Sequence, residues 1–317
     1  MKFVLKIIGK ILFKVLIAAL GLAVAVVAIL NVAKFALYHE YYSMRTNICK
    51  NPGLNDGFVC QGIAASEEND LILVSGYMKD DSASRIYAVD SMDQFHYVSL
   101  KQGDADFTGH AGGVATSNGK IYIASDDRIF TIALDAVVTA RSGDTVDIGE
   151  GIEVNNEASF VYTDDVYLYV GEFHDGGKYT IEGHENETAE GVHYAICSVY
   201  SLDDLTTPVK IYSIRDKVQG ICFTPDGKVV MSTSYGLNDS VYYVYDTEKA
   251  TDSGKTVDGA PLYYLDQLER EVKGPAMSEG LDYRDGKVIT LTESASNKYI
   301  FGKFFFANKI VGLTFGD

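Results

Sequence analysis

Residues 219–232, QGICFTPDGKVVMS, contain a pattern that recurs along the chain and indicates its fold. A polar side chain and a glycine precede a short apolar strand, a Pro-Asp-Gly turn reverses the chain, and a second apolar strand follows. Related stretches occur four more times in the 317 residues, at 61–75, 112–125, 157–171 and 279–292. Successive repeats begin 51, 45, 62 and 60 residues apart. Self-similarity at this period in a strand-rich chain predicts an all-β fold, a five-bladed β-propeller.

Each blade is expected to take four strands from its own repeat, because short runs rich in Tyr, Val, Ile and Phe alternate with turn residues. The third strand of the last blade is expected at 299–305. The outer strands are expected at 95–100, 144–149, 209–214, 262–266 and 309–315. No strand from before residue 61 is then needed to close the ring, although one could be borrowed.

The N-terminal segment predicts a membrane anchor. Residues 13–37 are almost wholly apolar apart from Lys14, Asn31 and Lys34, and are long enough to span a hydrocarbon core of about 30 Å. Four lysines, at positions 2, 6, 10 and 14, come before the uncharged apolar stretch that begins at Val15. That order predicts a cytoplasmic N-terminus and an extracytoplasmic propeller. A signal peptide cleaved after Ala23-Val24-Ala25 is the alternative.

The predicted domain organisation has three parts. Residues 1–40 form the cytoplasmic basic segment and anchor helix, residues 41–60 a stalk, and residues 61–317 the propeller. In the stalk, Cys49 and Cys60 could form a disulfide in an oxidising exterior. Cys197 and Cys222 lie in predicted strands and are expected to be buried thiols.

The net charge of the chain limits the classes of partner that the protein is expected to bind. The chain carries −17, and residues 1–40 hold five lysines and one glutamate, so residues 41–317 carry −21. Such a surface disfavours nucleic acid and anionic lipid, which proteins bind mainly through Lys and Arg. It suits metal cations or basic partners, or serves solubility alone.

The segment 173–193 is the largest irregular insertion. It holds three of the six histidines, His174, His184 and His193, among five acidic residues. No two of these histidines have a recognised ligand spacing, so a solvated acidic loop and a loop facing a metal or substrate are both open.

Polar residues at the openings of the repeats predict an axial site, because the first strand of a propeller blade is innermost. The opening positions are Gln61, His110, Glu157, Gln219 and Glu279. A second tier, at the ends of the second strands, comprises Tyr77, Asp126, Glu172, Tyr235 and Glu293. Converging carboxylates need a cation or a shared proton between them. We therefore expect His110, Glu157 and Glu279 to hold calcium or another divalent cation, unless the polar ring only caps backbone groups and waters.

Two motifs carry a resemblance to a known family. The Ser278-Glu279-Gly280-Leu281 segment and the Thr224-Pro225-Asp226-Gly227 turn resemble the regucalcin, gluconolactonase and strictosidine synthase-like propellers. The resemblance implies a divalent cation, often calcium, at the axis, with Glu279 as a ligand and Glu157 as a looser match. That family is six-bladed, whereas five repeats are present here, and Gln61 and Gln219 stand where its Asn and Asp ligands are expected.

Two functions follow from the sequence. The first is a membrane-anchored extracytoplasmic propeller that binds a small molecule or an extracellular protein or peptide at its axis. The alternative is a metal-dependent hydrolase of a small ester, lactone or phosphoester. Carboxylate-based glycoside hydrolysis is a minor third possibility, since the chain has no Trp to stack against sugar rings.

Overall fold

The computed structural model describes residues 2–316 and contains five sheets arranged around one axis, each built on four antiparallel strands and two of them extended by further strands. The inner strands of successive blades contact one another in a closed ring. The predicted five-bladed β-propeller is therefore confirmed. From the axis outward, the strands of blades 1 to 5 are Phe58–Ser66, Leu71–Met78, Arg85–Asp90 and Phe95–Gln102; Gly113–Ser117, Lys120–Ser125, Arg128–Ala133 and Ile152–Glu153; Phe160–Thr163, Tyr167–Gly171, Ala195–Ser201 and Asp204–Ile214; Val218–Phe223, Lys228–Thr233, Ser240–Asp246 and Leu268–Gly274; Ser278–Arg284, Lys287–Thr292, Lys309–Leu313 and Arg45–Lys50.

The structure also contains helices and strands outside the four main strands of each blade. The helices are Lys2–Leu37, His39–Met44, Asp135–Val138 and Phe301–Phe304, and the 3₁₀ turns are Glu67–Asn69 and Thr247–Lys249. The remaining strands are Ala105–Asp106, Asp144–Asp147, Asn186–Thr188, Gly191–His193, Thr251–Val257 and Ala260–Tyr264.

The glycine of the repeated motif is explained by contact between blades. A Cβ atom at Gly220 would lie 2.6 Å from the backbone nitrogen of Leu281 in the next inner strand. A Cβ atom at Gly62 would lie 2.6 Å from the nitrogen of Val114. Only glycine lets neighbouring backbones approach this closely. The small residue that marks each repeat in the sequence is thus the point where the inner strands pack together.

The ring closes with a strand from the N-terminal side. Arg45–Lys50 pairs antiparallel with Lys309–Leu313 and forms the outer strand of blade 5. The expectation that blade 5 is complete within its own repeat was therefore wrong. Residues 299–305 are not a strand but a loop with a short helix, because this aromatic run packs against the N-terminal helix instead. The segment expected to be a stalk, 41–60, belongs to the propeller from Arg45 onward.

Two other outer strands also differ from expectation. Asp144–Asp147 lies parallel to the outer strand of blade 1, and Ala260–Tyr264 lies parallel to the outer strand of blade 3. Blades 2 and 4 are completed by Ile152–Glu153 and Leu268–Gly274. Residue pattern identifies a strand but not its partner, and these strands pair with the preceding blade.

All four cysteines are free and buried. Cys49 and Cys60 lie in one apolar cluster, where the Asn51 side-chain amide donates to the Cys60 sulfur at 3.0 Å. The expected disulfide between them is absent, and Cys197 and Cys222 are buried thiols as predicted.

The N-terminal helix leaves the propeller from one identifiable face. We call this the upper face; it is where the inner strands begin and the second strands end. Within residues 6–37, an 18-residue stretch has a mean hydropathy of 2.8, and the helix is long and apolar enough to cross a membrane. The Tyr38 hydroxyl donates to Asp239 at 2.7 Å, and the Tyr41 ring stacks on Tyr242 at 5.9 Å. These contacts attach the helix to blade 4.

Candidate ligand site at the propeller axis

A cavity of about 600 Å³ lies at the upper end of the propeller axis. Nine of the ten predicted axial residues line this cavity. They are Gln61, Tyr77, His110, Asp126, Glu157, Gln219, Tyr235, Glu279 and Glu293. Glu172 is the exception. The aromatic and charged lining residues that sequence reasoning missed are Phe173, Lys178, Tyr179, Lys298 and Tyr299. These come from loops, where no repeat signal exists.

Backbone irregularities aim three of these side chains. The pairing of the inner strand with the second strand is interrupted at Gln61, at Gln219 and at Glu279. Such β-bulges leave one residue outside the ladder and redirect its side chain. The polar residue ahead of the repeated glycine therefore turns towards the axis in blades 1, 4 and 5.

Glu279 and Glu293 form a coupled carboxyl pair. Their exposed fractions are 2% and 8%. The Gln61 amide donates to Glu293 Oε2 at 2.9 Å. Among residues 2–316, no group donates a hydrogen bond to the Glu279 carboxylate, which faces the cavity. Burial, and then the charge of Glu293, raises the pKa of Glu279 well above its usual range, while burial raises the pKa of Glu293 to about 7.

The opposite wall carries a second group of ionisable side chains. Burial raises the pKa of Glu157, with further contributions from the charges of Glu172 and Asp126. Burial lowers the pKa of His110, so this imidazole tends to be neutral. The His110 ring meets the Tyr77 ring edge-on, with centroids 5.0 Å apart. This wall is acidic and aromatic at once.

Aromatic rings and two lysines surround the mouth of the cavity. The rings belong to Tyr77, Phe173, Tyr179, Tyr235 and Tyr299. Lys298 donates to the Tyr77 hydroxyl, and its ammonium lies 4.6 Å from the centre of that ring. Lys178 lies 4.7 Å from the centre of the Tyr179 ring. Both lysines are exposed at the rim, whereas the carboxyl pair lies deep.

Glu172 has a structural role beneath the insertion. His184 Nδ1 donates to its carboxylate at 2.9 Å, and the Ile196 amide donates at 2.9 Å. The hydrogen bond to Glu172 raises the pKa of His184. Glu172 is fully buried and lies outside the residues that line the cavity. Its predicted place at the axis was wrong because the insertion covers the end of this strand.

The insertion 173–193 is folded onto the propeller. His174 and His193 are buried, and the Ile181 amide donates to His174 Nδ1 at 3.0 Å. Arg215 pairs with Glu190 at 2.5 Å. The interpretation as a solvated loop was therefore wrong for its histidines. The insertion also supplies the rim residues Lys178 and Tyr179, which face the cavity.

The predicted metal ligands do not form a metal-binding cluster. His110, Glu157 and Glu279 line one cavity, but residues 2–316 contain no group of three or more His, Cys, Asp or Glu side chains that could hold an ion. The carboxylate that couples to Glu279 is Glu293, not Glu157. The donor set therefore does not fit the divalent-cation site that the family resemblance implies.

The other end of the axis offers a matched comparison. A cavity of about 810 Å³ at the lower face is lined by Asp282 and Tyr283 from the same inner strand as Glu279. Burial raises the pKa of Asp282 to about 7. Its carboxylate accepts hydrogen bonds from the amides of Ala65 at 2.6 Å and Tyr283 at 2.8 Å. Asp282 thus links blades 5 and 1, whereas Glu279 has no such partner among the described residues.

No protein-family model and no curated protein matches this chain. Similar solved structures include RS223-Beta-xylosidase, with 13% identity over 82% of this chain and 93% of that chain and a TM-score of 0.48. The PQQ-bound aldose sugar dehydrogenase of Streptomyces coelicolor shares 16% identity over 78% and 76%, with a TM-score of 0.43. Kuenenia stuttgartiensis hydrazine synthase shares 11% identity over 74% and 55%, with a TM-score of 0.39, so this chain spans about half of that protein's length.

These likenesses are too distant to carry a function from any of those proteins to this chain. They do not show the regucalcin-like superfamily that the Glu279 and Pro225 motifs resemble. The conclusion that stands is a β-propeller fold, which the sheet topology establishes independently.

Proposed function

We propose that this protein is a membrane-anchored propeller that binds a small ligand with a cationic head in its axial cavity. The observation that carries the proposal is the Glu279 carboxylate, which is buried, faces the cavity and lacks a hydrogen-bond donor among the described residues. Burying a carboxylate is unfavourable unless a positive charge or a proton compensates it. A cationic ligand supplies that compensation.

The composition of the cavity favours an organic cation. Its lining contains four carboxyl groups, two lysines and five aromatic rings. Ammonium groups bind well among aromatic rings and carboxylates, because the ring faces and the carboxylates both present negative potential. The charge of −21 on residues 41–317 also attracts cations towards the propeller.

Thermal unfolding of the full-length protein in maltoside detergent tests the proposal, with choline as the probe and 3,3-dimethyl-1-butanol as its uncharged isostere. Choline should raise the melting temperature, since binding to the folded state alone adds about 2.7 kcal/mol of stability at 100 times Kd. The uncharged isostere should have little effect.

Two variants on one strand sharpen this test. Glu279→Gln removes the axial charge and should abolish the choline shift, whereas Asp282→Asn at the lower face should retain it. An equal shift with the uncharged isostere, or a full shift in Glu279→Gln, would contradict the proposal. Calcium chloride serves as a further probe: a calcium shift that Glu279→Gln removes would favour the divalent cation expected from the sequence.

Hydrolysis of a small ester, lactone or phosphoester is kept as a second candidate because of one observation. The Glu279–Glu293 pair combines two raised pKa values in one cavity, with that of Glu293 at about 7. A carboxyl group with a pKa near neutrality can act as a general acid or base. Turnover of such substrates with a pH dependence that Glu293→Gln removes would favour this candidate over simple binding.

A further inference from the structure

An aromatic segment projects from the upper face beside the N-terminal helix. Residues 300–307, IFGKFFFA, follow the second strand of blade 5; we call them the aromatic loop. Ile300, Phe304 and Phe306 expose more than half of their surface. Large apolar side chains grouped on a surface in this way mark a contact with a partner or a membrane.

Backbone carbonyl groups of the aromatic loop accept hydrogen bonds from the two polar side chains that interrupt the apolar helix. Asn31 Nδ2 donates to the Phe304 carbonyl oxygen at 2.7 Å, and Lys34 Nζ donates to the Phe305 carbonyl oxygen at 2.6 Å. Polar groups near hydrocarbon need such partners, because lipid tails offer none. The two breaks in the apolar run are thus the positions where the loop is held.

The loop reaches along the apolar part of the helix. Phe304 and Phe305 border a hollow whose other walls are Ala19, Leu22, Ala23, Val26, Val27 and Leu30. Lys303, the one charged residue of the loop, turns back towards the propeller and donates to Asn55 Oδ1 at 2.7 Å and to Asn297. The surface beside the helix is therefore apolar.

We infer that the upper face rests on the lipid bilayer, with the aromatic loop inserted at the boundary of the hydrocarbon beside the helix. If residues 22–30 of the helix lie within hydrocarbon, Phe304 and Phe305, which border the same hollow as these residues, lie at the same depth. Leu237, exposed on the neighbouring upper-face loop, extends the apolar contact. Aromatic side chains are favoured at this depth.

The docked orientation directs the axial cavity towards the lipid headgroups. This step rests on the proposed function: a zwitterionic headgroup presents an ammonium group for Glu279 and Glu293 and a phosphate for the rim residues Lys178 and Lys298. The ligand class is then the choline or ethanolamine headgroup of the surrounding membrane.

Fluorescent labelling of the full-length protein in phosphatidylcholine nanodiscs tests the docking. All four native cysteines are buried, so a single introduced cysteine can carry an environment-sensitive NBD label. Phe304→Cys is compared with Val166→Cys, which lies at the lower face with a similar exposed fraction, 59% against 54%. Lipids with spin labels on their acyl chains should quench the label at 304 several-fold more than the label at 166. Equal quenching, together with equal access to aqueous iodide, would overturn the docking.

The headgroup step has its own readout. Choline should raise the melting temperature of the protein in maltoside detergent but not in phosphatidylcholine nanodiscs, where headgroups already occupy the cavity. A full choline shift in nanodiscs would overturn the headgroup assignment and leave the proposed axial site intact. Absence of a shift in detergent would instead remove the proposed function, while the quenching result would still decide the docking.

Discussion

Glu279 and Glu293 are two carboxyl groups that folding removes from water into one cavity. Burial dominates the rise in both pKa values, and the charge of Glu293 further raises the pKa of Glu279. In the absence of ligand, such a pair favours the state in which a proton is retained. On the proposed function, a cation that enters the cavity would reverse this preference, and ligand binding would then be linked to proton release.

The pair predicts a loss of stability as pH rises. A carboxyl group whose pKa is higher in the folded state than in the unfolded state binds protons preferentially on folding. The unliganded protein should therefore lose stability between the ordinary glutamate pKa and about 7, where Glu293 titrates in the folded state. Glu293→Gln removes this contribution. Its free energy of unfolding, relative to wild type, should rise by about 1–3 kcal/mol between pH 5 and pH 8.

Chemical denaturation at the two pH values measures this effect. Glu182→Gln, a change at an exposed position of the insertion, is the control and should show no such difference. If the free energy of unfolding of Glu293→Gln differs from that of wild type by the same amount at pH 5 and pH 8, the pKa of Glu293 is not raised by folding.

At the scale of the elements, the inner strands depend on their shared glycines. Gly220→Ala places a methyl group 2.6 Å from the Leu281 nitrogen, inside the contact distance of the two backbones. The inner strands of blades 4 and 5 would have to separate, which should cost about 1–3 kcal/mol of folding stability. Gly177→Ala is the control, because its Cβ would meet only ordinary contacts, at 3.5 Å and beyond. Urea unfolding of both variants tests this prediction, and Gly220→Ala should have the lower midpoint. Equal midpoints would contradict the close packing of the two inner strands.

How far the sequence predicts each element depends on whether the element repeats. Inner and second strands carry a polar residue, a small residue and a turn in every copy, so their number and the axial positions could be predicted. Ile152–Glu153 and Arg45–Lys50 lack that pattern, because outer strands contact only one neighbouring strand of their own blade and tolerate varied residues. Lys298 and Tyr299 belong to a loop that folds against the N-terminal helix, a long-range contact with no local signature.

At the scale of the whole molecule, the N-terminal helix and the propeller meet at one face. His39–Met44 packs on blade 4, Arg45–Lys50 closes blade 5, and Lys34 bonds to the aromatic loop. The chain therefore passes from helix to ring without a free linker. Because of this continuity, the direction of the helix fixes how the propeller is oriented relative to the helix.

The sidedness of the molecule stays a prediction of its charge pattern. Four lysines before the apolar run favour a cytoplasmic N-terminus and an extracytoplasmic propeller. Protease added to intact cells should then remove the propeller from the anchored helix, with a cytoplasmic protein as the control for membrane integrity. Full protection would place the propeller inside, and a mature N-terminus near Val26 would show cleavage and loss of the helix that holds the aromatic loop.

We propose that the axial carboxyl pair recognises a positive charge. Calorimetric titration of choline into the full-length protein in maltoside at pH 8 and pH 5 tests it most directly. We expect binding at pH 8, at least tenfold weaker binding at pH 5, where protons compete for Glu279 and Glu293, and loss of binding in Glu279→Gln. Binding that is equally strong at both pH values and unchanged in Glu279→Gln would contradict it.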